Sequence, residues 1–419
     1  MDGLVYWIWL SLCCTPDTNT FPKLIEKFGD AMSIFSASDH EISRCIGHRT
    51  SDRSALLKRD LEEAVRIYEF CKKHNVGILY YGSDEYPHSL RSIPTPPVLL
   101  YYRGKLPNFN NQFFVSTVGT RSLTDYGRRQ AFKISYDLAC AGATVVSGMA
   151  IGIDSVALAG ALSAGKSVVA VIGSGIDICY PSGHLALARE IVKNGCIFTE
   201  FAPGTPPGRY NFPKRNRIIS ALSSATLVIE GKEKSGALIT ARYAKEQGRE
   251  VYALPGNVGS KNSELSNLLI KNGAKLCTCA DDIVRDFENE FPGIINPFEL
   301  KTSVRLDMLE VLERYSVIAV CQNDDIFDPP RPKRKRSDET ADQGTSSSAV
   351  PETASEPSAD FDARALKIYK KIPQSGSCPI ETLVDDDTPL RDVMKLLLKL
   401  EMGKFITMLP GDTVARKAK

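Results

Sequence analysis

The sequence predicts an α/β fold: a mainly parallel sheet with helices on both faces, between a small helical domain and a compact C-terminal module. Three observations predict it. Short apolar, often β-branched runs alternate with helical patterns from residue 112 to about 288, the signature of strands joined by crossover helices. Glycine-bearing turns follow several of those runs, where ligands of such sheets bind. A Pro/Lys/Arg-rich run and a Ser/Thr/Glu/Ala/Pro tract then separate this region from a last segment that is periodic again.

At 419 residues the chain is long enough for two or three domains. It is 43% hydrophobic and 24% charged, with a net charge of +2. That balance excludes a global cationic field, so affinity for an anionic polymer must come from local clustering. The eleven cysteines form no Cys-x-x-Cys, and Cys277-Thr-Cys279 has no histidine nearby. No metal site is expected, and the scatter fits a reducing cytoplasm.

In chain order, the apolar start at 4–14 is too short to cross a bilayer. It lacks the cationic flank and cleavage site of a signal peptide, so it reads as a buried first helix with Trp7 and Trp9 in the core. No membrane partner is expected. Residues 1–110 read as a mostly helical domain. The clearest helix is 52–74, with Leu56, Leu57, Leu61, Val65, Ile67 and Phe70 near helical spacing and Asp52 at its N-cap. A strand follows at 98–102. In the sheet domain, 111–290, strands are expected at 113–118, 143–147, 167–172, 196–199, 226–229 and 250–254. Helices are expected at 126–141, 154–164, 184–193, 217–222 and 237–247. Residues 291–360 read as a linker, largely disordered from about 324 because the composition buries too little apolar area. Its cluster Arg331–Arg336 resembles a nuclear localisation signal but reads more simply as a solvated charge run. In 361–419, helices at 362–372 and 389–401 precede a hairpin at 404–409 and 413–415, the order of a winged helix. That module has no strongly basic helix, and protein contact is favoured over DNA contact.

The chemistry concentrates in four loops. Gly119-Thr120-Arg121 follows the first strand of the sheet domain, and Ser147-Gly148 through Gly152 the second. Glycine after a strand lets backbone N–H groups approach a phosphate, and Arg121 adds a planar donor fork. Asp154 reads equally as a helix cap or a ligand contact. Ser235-Gly236 opens a helix, as a phosphate site or as a plain N-cap. The fourth loop, 204–217, holds four cations, Arg209, Lys214, Arg215 and Arg217, and two aromatics, Tyr210 and Phe212. No acid lies between Glu200 and Glu230. Such a loop fits a phosphate backbone with stacked bases. Two readings of Asn216 and Arg217 stay open: contact with the ligand, or a brace within the fold. The dinucleotide motif Gly-x-Gly-x-x-Gly and the Gly-x-x-x-x-Gly-Lys-Ser/Thr loop are absent. Glu200 and Glu230 end strands, but no partner makes either an acid–base catalyst. Binding is therefore expected rather than an enzyme activity, with no catalytic residue and no cofactor.

Gly119-Thr-Arg121…Tyr126-Gly127, Ser147-Gly148…Gly152-Ile153-Asp154, Tyr180-Pro181, Glu200…Pro203-Gly204-Thr205-Pro206-Pro207, Phe212-Pro213…Arg215-Asn216-Arg217-Ile218-Ile219, Ser235-Gly236-Ala237-Leu238-Ile239-Thr240-Ala241-Arg242 and Gly273-Ala274-Lys275-Leu276 occur in one order. Together they closely resemble the DprA/Smf family of bacterial DNA-processing proteins. The resemblance implies a Rossmann-like core over 111–290, a SAM-like helical domain over 1–110 and a winged-helix domain over 361–419. It implies a cytoplasmic single-stranded DNA-binding mediator of natural transformation and recombination. Such a protein protects incoming DNA, helps load the RecA recombinase and forms a homodimer. The implied DNA contacts are Gly119, Thr120, Arg121, Ser147, Gly148, Arg209, Phe212, Lys214, Arg215, Asn216, Arg217, Ser235 and Gly236. Asn267 to Leu276 would lie at the dimer interface. Where some members carry Lys after Tyr-Pro, this chain has Ser182. The alternative is a nucleotide-processing enzyme of the LOG phosphoribohydrolase type, whose sheet is similar. Its Pro-Gly-Gly-x-Gly-Thr motif is missing here, and the strand exit reads Glu230-Gly231-Lys232-Glu233-Lys234-Ser235-Gly236.

Overall fold

The structure, a computed structural model, describes residues 3–47, 50–297, 308–316, 368–373, 377–383, 393, 396–397, 400, 405–409 and 413–416. The chain divides into two units, Met1–Lys333 and Arg334–Lys419.

The first unit opens with helices α1 (Leu4–Cys13), α2 (Thr20–Phe28), α3 (Ala31–Ser36), α4 (Asp39–Ile46), α5 (Thr50–Lys58) and α6 (Glu62–Lys73). Trp7 and Trp9 are buried on α1, as their apolar context predicts. The single helix expected over 52–74 is two helices. Arg59 between them takes φ +48°, a left-handed conformation that a helix cannot continue through. Its guanidinium donates to the Phe35 and Ala37 carbonyls and to Asp39, which holds the break in place. Asp52 is no N-cap. It lies inside α5, and its carboxylate accepts from the Thr15 and Thr20 hydroxyls, each at 2.5 Å.

The elements that follow are β1 (Gly77–Tyr80), α7 (His88–Arg91), β2 (Leu99–Gly104), β3 (Phe114–Val118), α8 (Asp125–Cys140), β4 (Thr144–Ser147), α9 (Ile153–Ser163), β5 (Val168–Val171), α10 (Leu185–Asn194), β6 (Cys196–Thr199), α11 (Asn211–Leu222), β7 (Ala225–Val228), α12 (Gly236–Glu246), β8 (Glu250–Ala253), α13 (Glu264–Lys271), β9 (Lys275–Leu276), α14 (Asp281–Phe287) and α15 (Met308–Ser316). The strands form one nine-stranded sheet, ordered β1-β2-β6-β5-β4-β3-β7-β8-β9. From β6 to β9 every pairing is parallel, with Val115 opposite Val145 on one side and Ala225 on the other. Beta-branched and small residues fill these strands because both faces are covered. Helices α8 and α9 pack together over one face, and α11 and α12 pack together over the other. The Rossmann-like α/β architecture is therefore present. Its edge strand β1 and the neighbouring β2 pair antiparallel, β2 also to β6, and carry the sheet N-terminal of residue 111.

Two further departures bear on function. Helix α11 starts at Asn211, six residues before the expected start at Arg217, so half of the basic stretch is helical. Pro213 is tolerated because it lacks a backbone N–H at a position in the first turn where an N–H would have no intrahelical acceptor. Helix α15, inside the expected linker, packs against α9 and α10 through Met308, Leu312 and Tyr315. Residues 298–307 and 317–360, with Arg331–Arg336, lie outside the described residues.

In the second unit, β10 (Ser377–Pro379), β11 (Ile406–Leu409) and β12 (Thr413–Arg416) form an antiparallel sheet ordered β10-β12-β11. Ile368, Ile372, Val393, Leu397, Leu400 and Val414 form its buried cluster. Gly403 and 410–412 lie outside the described residues.

Candidate nucleic-acid interface

The sheet changes winding direction at β3. From there α8, α9 and α10 lead to strands on one side, while α11 and α12 serve the other. A crevice opens at such a switch point, beyond the strands' carboxyl ends. Here it is a cavity of about 550 Å³ between the β3 exit, the 204–212 loop and the first turns of α11 and α12. Gly119, Thr120, Arg121, Arg209, Phe212, Arg215, Asn216, Ser235 and Gly236 all line it. Residues far apart in the chain therefore meet at one wall.

The mouth is cationic and aromatic. Arg121 is exposed, and its guanidinium lies 5.3 Å from the Phe212 ring centroid. The Tyr180 and Phe212 centroids are 5.7 Å apart, at 36°. Arg209 is exposed over Tyr210, 4.6 Å from its ring centroid. Tyr210 itself is 67% exposed. Arg209 also donates to the Tyr210 hydroxyl at 2.5 Å, and a guanidinium held beside a ring in this way has further donors to offer a phosphate. Tyr180 belongs to this platform, although the sequence offered it only as part of a Tyr-Pro pair.

The floor is built from side chains already committed. Arg215 is 4% exposed. It donates to the Gly148 carbonyl at 2.8 Å, to Asn216 Oδ1 at 3.1 Å and to the Val171 carbonyl. Burial draws its pKa down to about 10, against the attraction of Asp154, so it stays charged at neutral pH. Burial pushes the Asp154 carboxyl up, opposed by Arg215 and by the backbone N–H groups of Ala150 and Gly148. Asp154 thus braces the 148–150 turn. A Cβ at Gly148 would collide with Arg215 and Asp154, which is why this position is glycine. Met149 takes φ +54°, and its carbonyl is 3.0 Å from His184 Nδ1. The second glycine loop is therefore a braced floor. Ser147, fully buried, donates to the Thr117 carbonyl at 2.7 Å. Ser147 is not on the wall of this cavity, because its hydroxyl is turned to the Thr117 carbonyl; Gly148 lines a small pocket beside it that shares Arg121, Tyr180 and Phe212.

The remaining cations divide. Arg217 is 1% exposed and pairs with Glu200 at 2.7 Å, with Asp17 Oδ1 3.7 Å away. Its geometry is that of a brace between the sheet and the N-terminal helices. Lys214 does not line the cavity. Asn216 donates to the Gly236 carbonyl at 3.4 Å, tying α11 to α12. Ser235 stands at the N-cap of α12 but makes no side-chain cap bond. Glu230 accepts from the Thr124 N–H at 3.0 Å and its hydroxyl at 2.5 Å. Both strand-end acids are thus committed to structure. Among the described residues, no group of three or more His, Cys, Asp or Glu side chains could hold a metal ion, and no helix is long and apolar enough to cross a membrane.

Comparison with known proteins gives the same region a family. The model of the DNA recombination-mediator protein A family matches residues 77–288. The chain is 34% identical over 254 residues to the DNA processing protein DprA of Bacillus subtilis, covering 60% of this chain and 86% of that one. It is 37% identical over 228 residues to the DprA of Streptococcus pneumoniae, covering 54% and 79%. It is also similar to the X-ray structure of the S. pneumoniae protein, with a TM-score of 0.60 and 30% identity over 69% of this chain and 99% of that one.

Proposed function

Since the chain belongs to the DNA recombination-mediator protein A family, the DprA/Smf proteins, we propose that it is a cytoplasmic single-stranded DNA-binding mediator of natural transformation. It acts without catalysis: it protects incoming strands, helps load RecA and works as a homodimer. One observation carries the proposal. Arg121 lies over Phe212 at the mouth of a cavity whose lining acid among the described residues, Asp154, is held by Arg215 and by backbone N–H groups. Phosphates would meet Arg121, Arg209 and the first turn of α12, whose positive dipole end faces the cavity. Bases would stack on Phe212, Tyr180 and Tyr210. Stacking accepts any base, so sequence preference is slight. The phosphoribohydrolase alternative is not favoured, because Glu200 and Glu230 are held by Arg217 and Thr124 and leave no acid–base pair.

The test is binding of single- and double-stranded oligonucleotides across salt. A log–log slope of about −0.7 per phosphate contact is expected for single strands. Arg121→Ala combined with Arg209→Ala should abolish retention while the protein keeps its melting temperature. Unchanged binding by the double variant would remove the site assignment. RecA nucleation on a coated single strand, with and without the protein, tests the loading role.

A further inference from the structure

A second groove begins where the cavity ends. It holds about 390 Å³ and shares Arg121 with the cavity. Its floor is the start of α9, with Ser155, Val156 and Ala159, and its walls include Arg128 on α8 and Tyr315 on α15. Among the described residues that line it there is no acid. Arg128 pairs with Asp125 in the same helical turn, and Asp125 is 73% exposed. Such a surface pair is weak and exchanges readily for a phosphate. Tyr315 is half-buried on the inner side of α15. The groove therefore has cations and a ring among its lining residues, as the cavity has, and it adjoins the cavity through one shared side chain.

We propose that this groove is a second segment of the single-strand path. The strand would leave the cavity past Arg121, set a phosphate on Arg128 and lay a base against Tyr315. The proposal rests on the single-strand reading of the cavity and extends it to α15, a helix outside the segment that the family model matches. Its occupant is single-stranded DNA, because the groove adjoins the cavity at Arg121 and supplies a phosphate partner and a ring for a strand that continues past it.

The experiment is affinity against oligo-dT length, from strands that fill only the cavity to strands several nucleotides longer. The wild type should show a step in affinity as the strand reaches the groove. Tyr315→Ala and Arg128→Gln should each remove on the order of tenfold at long lengths and leave short strands unchanged. Ultraviolet crosslinking of bound oligo-dT, mapped by mass spectrometry, should place an adduct on the 308–316 peptide. That readout needs no variant to fold. A missing step, a step that survives both substitutions, variants that weaken short strands equally, or an adduct absent from 308–316 would each overturn the groove while leaving the cavity standing. Failure of the wild type to bind any length would overturn the cavity reading itself.

Discussion

Phe212 is the side chain on which the candidate interface turns. Its ring has the Arg121 guanidinium at 5.3 Å and the Tyr180 ring at 5.7 Å, so it orders a cation and a second aromatic together. Phe212→Ala should weaken single-strand binding by about 1–3 kcal/mol, the range for one base stack. Phe212→Trp should retain most of it. Fluorescence anisotropy with mixed-sequence oligonucleotides measures both, and an alanine variant that binds like the wild type would deny the stack. His184 makes a prediction of another kind. Burial lowers its pKa below the ordinary 6.5, with the bond to the Met149 carbonyl opposing. The folded state therefore holds this proton less tightly than the unfolded chain. The neutral ring's contribution to stability is full above about pH 6.5 and is lost as pH falls through the lower folded value. Melting temperature should drop as pH falls below the ordinary imidazole value of about 6.5. His184→Gln should flatten part of that drop, and an equal drop in the variant would show that other groups carry it.

Helix α11 explains why one basic stretch serves several ends. In the sequence, Arg209 to Arg217 reads as a single cationic loop. The helical period of 3.6 residues divides it: Phe212, Arg215 and Asn216 turn toward the cavity, Arg217 toward Glu200. Composition and order were therefore legible, but orientation was not, because the helix begins beneath Pro213. The attraction between Arg215 and Asp154 was also out of reach, since only the crossing of α11 over the β4 and β5 exits brings them near one another. The parallel strands were legible from their apolar runs. Helix α15 was not, because its apolar positions Met308, Val311, Leu312 and Tyr315 span barely two turns and give little periodic signal. The division of roles on α11 is testable. Arg217→Met strands the Glu200 carboxylate in a buried site, which costs about 3–5 kcal/mol. Chemical denaturation should register that loss, while affinity per folded molecule stays near the wild-type value. A stable variant that no longer binds would make Arg217 a DNA contact instead.

On the scale of the molecule, net charge and sheet edge pull the same way. With a net charge of +2, one chain offers a long strand only its local cationic cluster, so the homodimer proposed above would raise affinity for long strands by placing two clusters on one strand. The sheet ends at β9, where Leu276 is 51% exposed. An open edge strand with an apolar side chain is a surface suited to pairing. Asn267 has a structural part on its own chain. Its side-chain amide bonds both the N–H and the carbonyl of Gly256, at 3.2 and 3.0 Å, so it fixes the turn after β8. A dimer formed at this edge should therefore depend on Leu276 more than on Asn267. Leu276→Arg should shift the protein from dimer to monomer in light scattering. It should also lower affinity for long oligonucleotides by a factor on the order of 10². Short strands, which reach one cavity only, should bind the variant as they bind the wild type, and the salt slope for long strands should fall by about half, because half of the phosphate contacts are lost. A wild type that is monomeric at working concentration, or a Leu276→Arg protein that keeps its grip on long strands, would place the dimer contact elsewhere and tie affinity to the single cavity.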